Sequence, residues 1–141
     1  MFIGEYTHNI DPKKRLAVPI KFRKLLGEQV VITRGLDQCL TIYPIKEWEI
    51  LADKLSKLPI NQSEARGFVR LMLGGAMQVD IDSLGRVLVP DYLKDYAHLS
   101  KKVVLAGLYN RIEIWDEDRW NDYKKKTESE AENIAAKLEM I

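Results

Sequence analysis

The chain has 141 residues, is 46% hydrophobic and carries a formal net charge of +1. That size suits one compact domain or two very small ones. The hydrophobic content allows an ordinary core and argues against wholesale disorder, and the balanced charge argues against a general polyanion binder. A lone cysteine, Cys39, excludes an internal disulfide. With no apolar run of about eighteen residues and no charged-then-apolar leader, the expectation is a cytoplasmic protein without a membrane span.

Taken in chain order, Tyr6 to Ile10 predicts a short strand, and "DPKK" a tight turn in which Asp11 accepts backbone N–H groups. "RLAVP" then predicts a second strand closed by Pro19. Pro19 also suits the start of a helix over "IKFRKLL", with Phe22, Leu25 and Leu26 facing inward. A hairpin follows, its turn marked by Gly35 and its buried face by Leu40 and Ile42. Next, "WEILADKLSKLP" spaces Trp48, Leu51, Leu55 and Leu58 as a helix stripe ended by Pro59. "SEARGFVRLML" forms a second helix that stops at Gly74-Gly75.

From Met77 the same order starts again. "IDSLGRVLVP" (Ile81 to Pro90) rewrites "IDPKKRLAVP" (Ile10 to Pro19), and a helix over "DYLKDYA" faces Leu93, Tyr96 and Ala97 inward. A hairpin with Ile112 and Ile114 is expected to turn at Gly107. Trp48 falls on Trp120, so the likeness runs through the whole unit and reads as a duplication. The tail repeats a helical stripe at Ala131, Ile134, Ala135 and Leu138.

Each unit is β-β-α-β-β and spans about 45 residues, too few to bury a core alone. The predicted fold class is therefore α+β: two tandem units packed as an internal pseudo-dimer, with intervening and C-terminal helices. The expected organisation is a first unit over 1–48, a helical connection over 49–74, a second unit over 75–120 and a helical tail over 121–141. The units would form one compact domain.

The near-neutral total hides an asymmetry. From Asp11 to Lys24 the chain sets Lys13, Lys14, Arg15, Lys21, Arg23 and Lys24 against Asp11 alone. From Asp80 to Tyr96 it sets Arg86 and Lys94 against Asp80, Asp82, Asp91 and Asp95. This opposition suggests that the acidic copy is a subunit interface for the basic copy of a neighbour. His8 and His98 stand apart from any Ser, Cys or carboxylate cluster, and no phosphate-cradling glycine loop occurs. No catalytic residue, metal site, cofactor or small-molecule substrate is expected.

The duplicated pattern Gly-x-x-x-x-x-Ile-Asp-x-x-x-Arg, followed by aliphatic-x-aliphatic-Pro, occurs with "TRGLDQCLTIYP" after the first copy and "NRIEIW" after the second. In this it resembles the MraZ family, bacterial proteins similar to tandem copies of the AbrB-type swapped-hairpin DNA-binding fold. The likeness covers Met1 to about Trp120. It implies a nucleoid-associated transcriptional regulator of the division and cell-wall gene cluster that includes its own gene. It also implies a homo-oligomeric ring that binds short direct repeats in duplex DNA.

By that resemblance the Asp-x-x-x-Arg regions face DNA, which carries over to Asp11 and Arg15 and to Asp82 and Arg86. The family's Gly before the motif Arg is kept at Gly85 and replaced by Lys14, which at positive φ would cost about 1 kcal/mol. Arg15 has the planar fork for guanine or for a bidentate phosphate contact, whereas Lys13, Lys14, Lys21 and Arg23 suit phosphates. Asp11 and Asp82 are read as turn formers that orient their Arg. Arg86 lies among acids, so a DNA contact and an ion pair with Asp82 or Asp80 both stay open. So do a solvated face and a DNA contact for Lys124 to Lys126. The alternatives to a regulator are an AbrB-like antitoxin and a structural ring or scaffold protein.

Overall fold

Neither copy of the repeat folds on itself. The computed structural model describes residues 1–139, so the last two residues of the expected tail, 140 and 141, lie outside the described residues. The first unit comprises β1 (Phe2–Asn9), β2 (Arg15–Ala17), α1 (Ile20–Leu26), β3 (Gln29–Arg34) and β4 (Leu40–Pro44). Helices α2 (Ile45–Ser56) and α3 (Ser63–Met72) follow. The second unit comprises β5 (Met77–Asp80), β6 (Arg86–Leu88), α4 (Asp91–Tyr96), β7 (Lys102–Tyr109) and β8 (Ile112–Asp116), and α5 (Glu117–Leu138) completes the chain.

The main sheet has the order β1-β7-β8-β4-β3-β5, and β2 pairs with β6 as a separate two-stranded ribbon. Hairpins β3–β4 and β7–β8 meet through β4 and β8, while the first strand of each unit completes the hairpin of the other. This is the expected α+β pseudo-dimer, with a pseudo-twofold axis between β4 and β8. Half a chain leaves aliphatic faces uncovered, and exchange of strands covers both.

The core lies where the exchanged parts meet. Leu16, Val18, Val87 and Val89, from the two copies of the aliphatic-Pro phrase, are fully buried together with Ile32, Leu40, Ile42, Leu105, Ile112 and Ile114. Phe22 on α1 sits edge-on between Phe2 and Tyr6, with ring centroids 5.3 Å away in each case. Leu93 and Ala97 take the corresponding depth on α4. The aromatic landmarks also repeat: Tyr43 packs on Trp48 at 5.8 Å, and Trp115 on Trp120 at 5.4 Å.

Several expectations need correction. The first strand begins at Phe2 rather than Tyr6, because the eight-residue β7 offers β1 a partner along its whole length. Gly107 is no turn residue. It lies within β7 opposite Gly4 and Ile112, where an added Cβ would run into the backbone of Phe2 and Ile3. By ladder register Gly107 matches Arg34, which pairs with Leu40, and not Gly35. Leu25 is half exposed because α1 turns only Phe22 and Leu26 to the core. Helix α2 stops at Ser56, so Leu58 falls beyond it. The expected tail helix is present as α5, and its stripe of Ala131, Ile134, Ala135 and Leu138 is left unburied by the other described residues.

Candidate nucleic-acid interface

The two Asp-x-x-x-Arg turns share one geometry. In the first, Asp11 Oδ1 accepts from the backbone N–H groups of Lys13 and Arg15, both at 2.9 Å, and Oδ2 accepts from Arg15 Nε at 2.8 Å. In the second, Asp82 Oδ1 accepts from Leu84 and Arg86 N–H at 2.9 Å, and Oδ2 from Arg86 Nε at 2.8 Å. One carboxylate therefore both closes the turn and aims the guanidinium. A spacing of four is what allows both, since the chain returns past the Asp after one turn. Among the described residues, neither Arg spends its Nη groups on a protein partner.

Pairing of β2 with β6 sets these turns at opposite ends of one ribbon, with Arg15 opposite Leu88 and Ala17 opposite Arg86. Leu16 and Val87 point into the core, so alternation turns Arg15, Ala17, Arg86 and Leu88 outward on one face. The two Arg are diagonal neighbours, with a separation on the order of 7–8 Å. The crossing is sealed by Val18 N–H donating to Gly85 O at 2.8 Å and Val89 N–H donating to Lys14 O at 2.9 Å. Each turn thus holds the strand that follows the other.

The turns differ at the residue before the Arg. Both positions are left-handed, at φ 66° for Lys14 and 77° for Gly85. Arg23 Nε donates to Val18 O at 2.9 Å, and its guanidinium lies against Gly85, where an added Cβ would collide with it. At the symmetry-related place α4 carries Lys94 instead of Arg, and the turn carries the larger Lys14. Lys14 Nζ meets Asp91 Oδ2 at 2.6 Å, so the basic and acidic copies neutralise one another in part within a single chain. Lys13 and Lys21 are exposed.

Both turn carboxyls are held below the usual carboxylate range, first by the backbone N–H of the paired Arg and also by its side chain, against a partial loss of solvent. A carboxyl whose folded pKa is depressed stabilises the fold fully above its unfolded value, about 3.9, and that contribution is lost as pH falls through the folded value. Urea unfolding followed from neutral pH into the acid range is expected to show a shallower acid decline in Asp11→Asn/Asp82→Asn than in the native chain. Identical declines would mean that the turns contribute nothing to acid sensitivity.

Beside the first turn, Lys94, Ser100 and Lys101 wall a cleft with Asn9, Ile10, Lys14 and the turn's own Asp11. These residues lie up to 86 positions from Arg15, so no local spacing in the sequence announces them. The described residues hold no group of three or more His, Cys, Asp or Glu able to bind a metal ion. His8 is part-buried on β1, and burial and then the Arg23 charge keep its pKa below the ordinary value. No helix among the described residues is long and apolar enough to cross a membrane.

The family model described as "MraZ protein, putative antitoxin-like" matches twice, over residues 1–71 and 72–140, one match for each copy of the repeat. The "Transcriptional regulator MraZ" of Natranaerobius thermophilus is 47% identical over 138 residues, covering 98% of this chain and 96% of that protein. The protein of the same description from Halothermothrix orenii is 49% identical over 99% of this chain and 97% of its own length. That from Alkaliphilus metalliredigens is 45% identical over 100% and 99%. With both halves matched and relatives of this identity along the full length, the chain belongs to the MraZ family.

Proposed function

We propose that this chain is a sequence-specific, DNA-binding transcriptional regulator, a binding protein and not an enzyme, whose reading head is the β2–β6 ribbon. The observation that carries the reading is the pair of outward Arg side chains, each aimed through Nε by its own Asp with the Nη edge left over. The major groove is about 12 Å wide and admits a two-stranded ribbon, and a free guanidinium edge matches guanine O6 and N7 or two phosphate oxygens. The relatives' description as transcriptional regulators agrees with this. Lys13 and Lys21 are assigned to the DNA backbone. By family likeness we take the targets to be short direct repeats upstream of the division and cell-wall genes, and the protein to act on the nucleoid in the cytoplasm.

A single ribbon with about four phosphate contacts has a salt slope near −3.6, which is weak binding at physiological salt. Repetition around a homo-oligomeric ring raises avidity by about 10²–10⁴. The uncovered stripe on α5, with Ile134 40% and Leu138 59% exposed, supports assembly with further copies. Selection from a random duplex library, with the full chain as bait, tests the proposal. Enrichment of a short, regularly spaced, same-direction motif is expected. A folded protein that enriches no sequence would overturn the reading in favour of a scaffold or an antitoxin.

A further inference from the structure

The ribbon is pseudo-symmetric, but its surroundings are not. Lys101 O accepts from Ile10 N–H beside the first turn, and Glu28 O accepts from Ile81 N–H beside the second, both at 2.8 Å. Lys101 and Glu28 therefore occupy equivalent places with opposite charge. In the next rung Lys102 pairs with Asn9, whereas Gln29 pairs with Asp80. Gln29 Nε2 donates to Asp80 Oδ1 at 2.8 Å, and around this bond Lys24 and Lys46 are offset by Glu28 and Asp80, so the second flank carries no excess of positive charge. On the first flank Lys94, Lys101 and Lys102 have no ion-pair partner among the described residues.

Duplex DNA has nearly twofold backbone symmetry at every base pair, so a symmetric ribbon would seat equally well in either direction. Here one direction offers a given strand the unpaired Lys94 and Lys101, whereas the other offers Lys24 and Lys46 offset by Glu28 and Asp80. Resting on the DNA-binding reading above, we propose that the Lys94–Lys101 cleft holds a backbone phosphate beyond the ribbon. By doing so it fixes which way round the chain sits on DNA. The ribbon Arg groups read bases or hold the central phosphates, and the cleft makes the footprint one-sided. A one-sided footprint gives each bound chain a direction, adding to the smaller difference between the turns, where Lys13 is matched by Leu84.

The test uses the full chain and the duplex that it selects. Binding is followed by fluorescence anisotropy across a salt series, with hydroxyl-radical footprinting on both strands. The wild type is expected to protect more sugars on the Lys101 side of the Arg15–Arg86 centre than on the other. Lys94→Gln/Lys101→Gln is expected to reduce the salt slope by about 1–2, at roughly 0.9 per contact, and to make the footprint even. Glu28→Lys is expected to do the reverse on the opposite flank, steepening the slope and extending protection there, which keeps a result available should the double variant unfold. An even wild-type footprint, or slopes that neither variant changes, would overturn the cleft while leaving the ribbon reading intact. A wild type that binds no duplex at all would overturn both.

Discussion

Arg15→Ala is expected to weaken binding to the selected duplex by about 1–3 kcal/mol, roughly 5- to 150-fold, while binding to unrelated duplex falls far less. The difference arises because the Asp11 contact occupies only Nε, so the groups lost in alanine are those free to pair with a base edge. Arg15→Lys is the sharper comparison. It keeps the charge for phosphates but lacks the fork, so it is expected to retain most of the salt dependence and lose discrimination. Arg86→Ala is expected to cost less, since its turn lacks the lysines of the first and the Arg23 guanidinium beside Gly85 is offset by Glu28 and Asp80. Parallel titrations of specific and unrelated duplex measure the ratio. An unchanged ratio in Arg15→Ala would place sequence reading elsewhere. Thermal unfolding should show that the variant keeps its fold, because Arg15 is a partly exposed ribbon residue.

Phe22→Ala is expected to destabilise the protein by about 3–5 kcal/mol, a large share of the roughly 5–15 kcal/mol that holds a domain together. Phe22 is 2% exposed and meets two rings nearly at right angles, Phe2 at 88° and Tyr6 at 84°. Both rings belong to β1, an edge strand that pairs with β7 of the second unit and whose Glu5 accepts from Trp120 and Lys124 of α5. Loss of the Phe22 ring thus opens a cavity and loosens one of the strands that tie the two units together. The equivalent residue in the second copy, Leu93, is fully buried, and Leu93→Ala is expected to fall in the lower part of a 2–5 kcal/mol range because no aromatic pairs depend on it. Urea unfolding would show a lower midpoint with an unchanged slope, and amide exchange would quicken first along β1. A loss below about 1 kcal/mol would show that the site collapses around the deletion.

The ribbon and the core are two uses of the same ten residues. Leu16, Val18, Val87 and Val89 alternate with Arg15, Ala17, Arg86 and Leu88, so burial of one set forces presentation of the other. A single Asp in each turn then converts an exposed, flexible Arg into an aimed one. This is why folding and the proposed recognition depend on one motif.

The sequence by itself determined the features written over short distances. Asp11 and Arg15 stand four apart, and that spacing alone encodes a turn closed by a carboxylate that also grips the Arg. The alternation in "RLAV" and "RVLV", the helices after Pro19 and Pro90, and the doubling of the unit were legible for the same reason, since each rests on local periodicity or on self-similarity. Only the tertiary structure decided which strand pairs with which. β1 and β5 read alike, and nothing in either states that each completes the other unit's hairpin, because any aliphatic face of the right length offers the same local signal. The register that moves Gly107 out of its turn, the packing of Arg23 on Gly85 and the gathering of Lys94 and Lys101 beside Asp11 are likewise contacts between distant residues. Their partners are fixed by the joint burial of two half-cores, a property of the assembled fold that no window of the chain contains.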